Sequence, residues 1–517
     1  MRPLLLALKT LVFLLTLLAF LLAFRAEERV VDRPLIEDSF YSLAVARQIA
    51  LGNGITIDGS TWTNGFQPLF TFLTVPAFLV TGGHRYLAIR YVLALHWLFY
   101  VGAAFLLARI ARDSLPTETP EQKTVTFWLT FLLYMSAFQV FLQHFNGLET
   151  GFVLFLTCLT WRFYQVTDVE RWSALALLGM LLGLVVLARI DTVFLVIAVS
   201  LREILPNRGP RLGMRFLRFA TVGGLAFLVS SPWWFYNLAV FGHLMPTSGK
   251  AQELWALSGW RFLRALSALF QVFVPWVCLG SSAEGLAADV FRGVLVVAGL
   301  VILWRMRSVG WPRPFGAEDS DGPRKRTLEF GICLLAANAA LVMWYGLSSM
   351  APHFYPRYFS ALVLISVLGA SFIAARLAAI KPRLAAALVL LIAAPVLLTL
   401  ALPGKVFRGN PWYHQQLALV WQHVPPADYV AADQAGTLGY FREKVVNLDG
   451  KVNPEALRFR GDIRAYLRQR DIRWYCDGPD SVTADFGPNP EAQGWRLVAR
   501  ADLFSLYHCQ HPPNSGR

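Results

Sequence analysis

Charged residues are scarce in this sequence, and acidic residues are the scarcer sign. Only 15% of the 517 residues are charged, 33 of them Asp or Glu and 47 Lys or Arg, while 56% are hydrophobic. A soluble domain needs more polar surface than this, so an ordinary soluble globular protein is excluded. Apolar runs of about 20 residues recur along the chain, and each is long enough to cross the hydrocarbon core of a bilayer. The sequence therefore predicts an integral membrane protein with many spans.

Cysteine is also rare, with five residues in the chain. Cys158, Cys278 and Cys333 lie in or beside apolar runs without the spacing of metal ligands, so we expect them to be packing residues. Cys476 and Cys509 lie in the polar carboxyl-terminal part. If that part is outside the cytoplasm, they can form one disulfide, and two thiols are the alternative.

The net charge of +14 comes from Lys and Arg residues that cluster at the ends of the apolar runs. Short cytoplasmic loops carry such clusters, so the charge indicates orientation and not a face for nucleic acid. The clusters that fall on the inside by this rule lie within residues 109–123, 202–218, 305–326 and 381–383. We therefore expect a membrane partner and no nucleic acid partner.

About eleven spans follow when the apolar runs are threaded with alternating direction, with the amino end inside and the carboxyl end outside. The first run fits either a cleaved signal peptide or an uncleaved span, and its length favours the span. Phe66–Val80 and Leu263–Leu279 are left outside as interfacial or re-entrant helices. The eleven runs are Leu4–Phe24, Tyr86–Ala108, Val125–Gln143, Thr150–Val166, Trp172–Ala188, Thr192–Ile204, Phe219–Tyr236, Val290–Trp304, Phe330–Tyr345, Phe359–Ala375 and Leu384–Leu402.

The composition changes after Pro403 to a charged tail that contains Gly and Pro. Within the tail, β-branched runs predict strands at Tyr429–Asp433, Val445–Asp449 and Ile472–Cys476, and Asp462–Arg470 has a helical pattern. This alternation predicts a small α/β domain.

The expected fold class is thus a polytopic α-helical membrane protein with a small extracytoplasmic α/β domain. The membrane domain takes residues 1–402, including a first outer loop at 25–85, and the soluble domain takes residues 403–517. The expected location is the inner (plasma) membrane, crossed many times, with the amino end in the cytoplasm.

The first outer loop contains an acidic pair, Glu37-Asp38, just ahead of the amino end of a helix that Ser39 can cap. A favourable charge at that helix end is the simplest explanation of the pair. The same loop also carries Asn64 and Gln67, polar groups that suit a hydroxylated ligand. We therefore expect the chemistry of the protein in this loop, with the acidic pair as its candidate residues and the two amides as candidate substrate-binding residues.

Ionisable residues also stand in the later outside turns. Arg189 and Asp191 are either a mutual structural pair or ligand-binding residues. Cations on the outside oppose the positive-inside bias, so an anionic ligand explains them, with snorkelling to lipid phosphate as the alternative for Lys250 and Arg357. The further candidate substrate-binding residues are Glu149, Arg189, Asp191, His243, Lys250, His353, Tyr355 and Arg357.

Several segments resemble motifs of one enzyme superfamily. They are EDSFYSLAVARQIALGNG and TNGFQPLFTFL in the first loop, NGLETG and HFYPRYF in later turns, and DQAGTLGYF with VVNLDGKVN in the tail. Together they are similar to the GT-C glycosyltransferases that use polyprenyl-phosphate sugars, especially the arabinofuranosyltransferase-like and protein mannosyltransferase-like branches. Relatives often carry Asp-Asp where this chain has Glu37-Asp38, which leaves open which of the two is the base.

The resemblance implies transfer of a hexosyl or pentosyl group from a polyprenyl-phosphate donor to a hydroxyl of a glycan, lipid or protein acceptor. Asp38 or Glu37 then takes the proton of the acceptor hydroxyl. Lys250 and Arg357 hold the leaving phosphate, with a histidine assisting. One displacement inverts the anomeric configuration. No cofactor is certain, and a divalent metal ion stays open.

A transporter or flippase of lipid-linked sugars is the alternative from another class, because it also needs many spans and polar outer loops. Transporters commonly show internal repeats and ionisable residues near the midplane. Here no repeat is visible and the ionisable residues lie at loop edges, which favours the transferase. A non-catalytic membrane scaffold that presents the tail domain is a third alternative.

Overall fold

A computed structural model gives the structure of the chain and describes residues 2–114, 119–205, 212–253, 255, 258–277, 286–308, 322–349, 351–402 and 411–509. Up to residue 402 the described residues are mostly helical. The helices are α1 (Arg2–Leu21), α2 (Glu27–Val30), α3 (Glu37–Ala50), α4 (Pro68–Val80), α5 (Arg85–Ser114), α6 (Pro120–Met135), α7 (Phe138–Phe145), α8 (Thr150–Val166), α9 (Trp172–Ala188), α10 (Val193–Ile204), α11 (Leu212–Phe241), α12 (Thr247–Ala251), α13 (Gly259–Phe273), α14 (Leu286–Ser308), α15 (Pro323–Ser348), α16 (Tyr355–Tyr358), α17 (Leu362–Ile380) and α18 (Pro382–Ala401).

Long apolar helices make this chain a multi-pass membrane protein. Among the described residues, six helices are long and apolar enough to cross a membrane, namely α1 with the short turn after it, α5, α11, α15, α17 and α18. Helices α6 and α7 pass the same test together but are bent by 63° at the break between them. Each run predicted as a span falls largely on a helix. The number eleven stays a prediction, because helices such as α10, with 12 residues, are shorter than a single straight crossing requires.

Small residues bring the helices of the membrane domain close together. Gly179 and Gly183 lie four residues apart on α9 and face α11. A Cβ at Gly183 would lie 2.7 Å from the Cβ of Val229, and one at Gly179 would lie 2.9 Å from the carbonyl oxygen of Val222. Two glycines at this spacing allow the backbones of neighbouring membrane helices to approach, so this helix pair packs tightly.

The two segments left out of the span count are the short helices α4, with 13 residues, and α13, with 15 residues. On α13, Trp260 and Leu263 are exposed while Ala265 and Ala268 are buried. An exposed apolar face on a short helix is typical of an interfacial helix, although this placement in the membrane stays a prediction. Cys278 and the end of the predicted Leu263–Leu279 run lie outside the described residues.

The tail contains a five-stranded sheet with the order β2-β1-β3-β5-β4. Strands β1 (Val430–Ala432), β2 (Val445–Asn447) and β3 (Trp474–Asp477) are parallel, and β4 (Trp495–Arg500) and β5 (Ser505–Cys509) form an antiparallel hairpin. The short helices of the tail are Pro411–His423, Gly436–Phe441, Pro454–Arg458, Ile463–Gln469 and Pro479–Phe486. The three predicted strands, the predicted helix and the α/β class are confirmed. The hairpin was missed, because β4 exposes Leu497 and Val498 and so lacks regular alternation.

Cys476 and Cys509 both lie in the described part of the tail and are not joined by a disulfide. The strand register places Cys476 opposite Leu506 and Cys509 opposite Trp495. Cys509 lies three residues along β5 from Leu506, or about 10 Å at the usual rise of a strand, which is too far from Cys476 for a disulfide without backbone movement. Both cysteines are therefore thiols in this structure, which is the second of the two predicted alternatives.

The carboxyl edge of the parallel strands docks on α3 in the first loop. The Tyr41 hydroxyl donates to the carbonyl oxygen of Asp433 and accepts from the backbone N–H of Ala435 and from Asn447 Nδ2. Ion pairs from two arginines of the membrane domain to Glu443 add to this contact. The tail domain is consequently packed against the first loop.

Candidate active site

A cavity of about 340 Å³ lies where the first loop, the ends of several membrane helices and the tail domain meet. Its volume falls within the usual range for small-molecule sites, about 300 to 1,000 Å³. One wall is apolar and consists of Val193 and Phe194 of α10 and Trp344 of α15. The charged and phenolic residues that line the rest are Asp38, Tyr41, Glu149, Arg189, Asp191, Glu253, Tyr345, Arg357, Tyr358 and Lys451.

The acidic pair is divided between two environments. Glu37 and Asp38 are the first two residues of α3, and consecutive residues of a helix point about 100° apart. Asp38 lines the cavity, whereas Glu37 is 5% exposed and points into the contact with the tail. The predicted cap by Ser39 is wrong, because Ser39 lies inside the helix and its hydroxyl donates to the carbonyl oxygen of Ile36.

Glu37 anchors the tail domain. The backbone N–H of Thr437 donates to both carboxylate oxygens, at 3.0 and 3.1 Å, and the Thr437 hydroxyl donates to Oε2. The neighbouring Gly436 allows this approach, since a Cβ there would lie 2.5 Å from the carbonyl oxygen of Glu37. Burial raises the pKa of Glu37 to about 7, although the hydrogen bonds from Thr437 lower it. This carboxyl therefore titrates near neutral pH in a buried contact and lies outside the cavity.

Asp38 faces a lysine that the tail domain contributes. Lys451 Nζ is 3.5 Å from Asp38 Oδ1 and 3.2 Å from Asp449 Oδ2. Burial lowers the pKa of Lys451, but the carboxylates of Asp38 and Asp449 outweigh burial and raise the pKa above its usual value. The lysine is therefore charged at neutral pH, and the candidate base carries a cation as its neighbour.

A second charged cluster lines the cavity at the ends of the membrane helices. Arg189 Nε donates to Asp191 Oδ2 at 3.1 Å, and Arg189 Nη1 donates to the carbonyl oxygen of Arg357 at 3.0 Å. Glu149 Oε1 lies 3.5 Å from Arg357 Nη2 and 3.9 Å from Arg189 Nη1. The Tyr345 hydroxyl also donates to Asp191. The mutual pair of Arg189 and Asp191 is thus present, and both residues line the cavity as well.

The Tyr358 hydroxyl lies within electrostatic reach of both charged clusters. Burial raises the pKa of Tyr358, and the charges of Arg357, Arg189, Asp191 and Asp38 all act on its hydroxyl. The guanidinium of Arg189 lies 4.8 Å from the centre of the Tyr358 ring. Tyr358 therefore packs against Arg189 and lies within electrostatic reach of Asp38.

The two amides of the first loop have different positions. Gln67 lines the cavity, and its Oε1 accepts from the backbone N–H of Ile190. Asn64 is fully buried and does not line the cavity. Its Oδ1 accepts from the backbone N–H and hydroxyl of Thr247, and its Nδ2 donates to Asn237. Asn64 therefore fastens the first loop to α11 and α12, and the prediction of substrate contact does not fit this position.

Four further predicted residues, all in the described part of the chain, do not line the cavity: His243, Lys250, His353 and Tyr355. His243 Nδ1 donates to the carbonyl oxygen of Met245, and the Tyr355 hydroxyl donates to that of Tyr345. Lys250 lies on the short helix α12, where its neighbours Gly249 and Gln252 line the cavity instead. His353 is exposed in the turn before α16, where the charges of Asp38, Lys451 and Arg357 act on its ring. These four residues lie close in sequence to residues that line the cavity, but their own side chains do not line it.

Sequence reasoning missed Lys451, Tyr41, Tyr345 and Tyr358 in the cavity. Lys451 belongs to the tail motif VVNLDGKVN and Tyr358 to the turn HFYPRYF, so both motifs carried a signal. Tyr345 lies in an apolar run and carried none. Lys451 is 413 residues from Asp38, and only the docking of the tail brings the two together.

A metal ion finds no obvious ligands in the described part of the chain. Among those residues, no group of three or more His, Cys, Asp or Glu side chains could hold a metal ion. Asp38 instead has a lysine at its side.

Comparison with solved structures identifies the fold. The structure of ArnT from Cupriavidus metallidurans bound to undecaprenyl phosphate is similar to this chain with a TM-score of 0.61 and 14% sequence identity, over 96% of this chain and 97% of that chain. The chain thus has the fold of the GT-C membrane glycosyltransferases, as the motifs predicted. The archaeal oligosaccharyltransferase AglB from Archaeoglobus fulgidus, in complex with an inhibitory peptide and a dolichol-phosphate, gives a TM-score of 0.49 at 14% identity, over 98% of this chain and 75% of that chain.

Comparison with protein families by sequence gives a match in the tail domain. A family described as a domain of unknown function (DUF8728) matches residues 408–512. This match covers the tail sheet and its helices. No curated protein matches the chain by sequence.

Proposed function

We propose that this GT-C protein is an inverting glycosyltransferase that moves a sugar from a polyprenyl-phosphate donor to an acceptor hydroxyl at the outer face of the plasma membrane. The observation that carries the proposal is the position of Asp38, whose carboxylate lines a cavity that also contains Lys451, Arg189 and Arg357. A carboxylate can accept the proton of the attacking hydroxyl, and cations can stabilise the departing phosphate anion. Their presence in one small cavity therefore suits this transfer reaction.

In the proposed reaction, Asp38 takes the proton of the acceptor hydroxyl while that oxygen attacks the anomeric carbon of the donor sugar. The bond from the anomeric carbon to the phosphate oxygen breaks, and the electron pair stays on the phosphate. Arg357 stabilises this anion, and Arg189 positions Arg357 by donating to its carbonyl oxygen. One displacement inverts the anomeric configuration. Glu37 has no part in the proton transfer, because it is buried in the tail contact.

The apolar wall supports a donor with a lipid tail. Val193, Phe194 and Trp344 line the cavity, and Val193 and Trp344 are also partly exposed on the surface of the membrane domain, at 37% and 38%. This surface faces lipid if α10 and α15 are spans. A polyprenyl chain is then able to leave the cavity along the exposed side chains of Val193 and Trp344 without crossing water. Gln67 and Glu149 are suited to hydrogen bonding with sugar hydroxyls.

The test uses the purified full chain in lipid bilayers with undecaprenyl-phosphate hexoses and pentoses that carry a labelled sugar, and with cell-envelope glycans or lipids as acceptors. We expect Asp38→Asn to lower the transfer rate by about 10² to 10⁴ fold, as is typical for the loss of a general base. Glu37→Gln should retain most of the rate at a pH where the variant is folded. Asp502→Asn, which removes an exposed carboxylate of the tail, serves as the matched control.

Full transfer by Asp38→Asn would exclude Asp38 as the base. A flippase predicts a different result in the wild type, because labelled donor would cross the bilayer and no glycosylated acceptor would form. Retention of configuration in the product would also contradict the single displacement. Nuclear magnetic resonance of the product distinguishes the two anomers.

A further inference from the structure

The cations of the cavity differ in how firmly they are held. Arg189 is engaged, since its Nε donates to Asp191 and its Nη1 to a carbonyl oxygen. Arg357 Nε is buried and has no hydrogen-bond partner among the described residues. Lys451 makes two ionic contacts, of which the one to Asp38 is long at 3.5 Å. An ammonium has three N–H donors, so Lys451 has capacity for another anion.

The backbone of Lys451 is fixed by the first loop, whereas its side chain is held only by the two ion pairs of the ammonium. A Cβ at Gly65 would overlap the carbonyl oxygen of Lys451 and would lie 3.1 Å from the Cα of Val452, so the tail loop lies directly on the first loop. The Lys451 N–H also donates to Asp449 Oδ1 at 2.8 Å. The side chain is 21% exposed, and a lysine carries its charge on a flexible four-carbon stem. Movement at this position is therefore expected in the ammonium and not in the loop.

The pairing of Lys451 with Asp38 conflicts with the proposed role of Asp38. A neighbouring cation favours the ionised carboxylate, which makes that carboxylate a poorer proton acceptor. The base would become effective if another anion attracted the lysine when the substrates bind. The donor brings such an anion in its phosphodiester.

We propose that Lys451 is an exchangeable cation, which pairs with Asp38 before the donor binds and transfers its ammonium to the donor phosphate afterwards. This inference rests on the proposed function. Asp449 remains the second partner of Lys451 during the exchange. The ammonium then stabilises the phosphate as the sugar bond breaks, and it keeps its proton throughout. The tail domain thereby becomes part of the donor site and couples donor binding to the release of the base.

The test measures binding of undecaprenyl phosphate, without a sugar, to the full chain in lipid nanodiscs. We expect Lys451→Met to weaken binding at least about tenfold, the effect of losing one charge-assisted contact. The double variant Lys451→Met/Asp449→Asn loses one positive and one negative charge, so the net charge of the loop equals that of the wild type. We expect it to bind undecaprenyl phosphate as weakly as Lys451→Met does. Lys444→Met, which removes a tail lysine whose Nζ donates to the carbonyl oxygen of Ala427, is the matched control and should bind normally.

The outcomes separate this inference from the proposed function. If the wild type does not bind undecaprenyl phosphate, the proposed donor class fails. If the wild type and Lys451→Met bind equally, the exchange is wrong while the glycosyltransferase proposal stands. If binding returns in the double variant, the loss in the single variant came from an uncompensated Asp449, which also overturns the inference. Weak binding in both variants at a wild-type melting temperature supports it.

Discussion

Glu37 offers a direct test of how the tail is attached to the membrane domain. Its carboxyl is 5% exposed and is held by the backbone N–H and hydroxyl of Thr437. Burial raises its pKa from 4.5 to about 7. At about 1.4 kcal/mol per pKa unit, this shift corresponds to about 3 kcal/mol of stability that depends on pH. The change Glu37→Gln removes the titration but keeps an amide oxygen that accepts from Thr437.

The sign follows from the two pKa values. Between pH 4.5 and pH 7 the folded state keeps a proton on Glu37 that the unfolded state has lost. The free energy of unfolding therefore falls as the pH rises through this window, and the stability present below pH 4.5 is lost above about pH 7. The free energy of unfolding of Glu37→Gln should not fall in this pH window. This variant should therefore be more stable than the wild type at pH 8.

Thermal unfolding of both proteins in the same detergent, from pH 5 to pH 8.5, measures the difference. Hydrogen exchange of the helix Gly436–Phe441 localises it when the rate at each pH is divided by the chemical exchange rate at that pH. The resulting protection of the Thr437 amide should fall at high pH in the wild type alone. Other groups of the tail titrate in both proteins and cancel in the comparison. If the two melting curves shift in parallel with pH, Glu37 does not titrate near neutrality and the account of this contact is wrong.

Two further substitutions test contacts around the cavity. Gly65→Ala should push the loop of Lys451 outward, lower transfer more than about tenfold and cost about 1 to 3 kcal/mol of stability; a full transfer rate would contradict the close approach. Asn64→Ala should leave the N–H of Thr247 unsatisfied and destabilise the protein by about 1 to 3 kcal/mol with little change in the KM for the donor. A raised KM at an unchanged melting temperature would instead indicate that Asn64 binds substrate.

The sequence predicted much of the fold, because its signals are local. Apolar runs and the basic clusters at their ends marked the membrane helices, and short β-branched runs marked β1, β2 and β3. Motifs predicted the GT-C fold, which structural similarity confirms. The hairpin of β4 and β5 was missed because the outward residues of an edge strand give no periodic signal.

The candidate site was predictable only in part. Asp38, Glu149, Arg189, Asp191, Arg357 and Gln67 were named from the sequence and line the cavity, while the roles proposed for them stay predictions. Lys250, His243 and His353 were named from the same charge pattern but do not line the cavity. Charge and hydropathy assign a residue to a loop on one side of the membrane, but they do not determine which way its side chain points.

The sequence by itself determined that this is a membrane protein with a first loop rich in polar groups, since hydropathy and charge act residue by residue. Only the tertiary structure separated Glu37 from Asp38, because neighbouring residues on a helix face different surroundings. It also brought Lys451 to Asp38 across 413 residues. That contact depends on the docking of the tail, and docking is a property of two complementary surfaces, which no local pattern in the chain encodes.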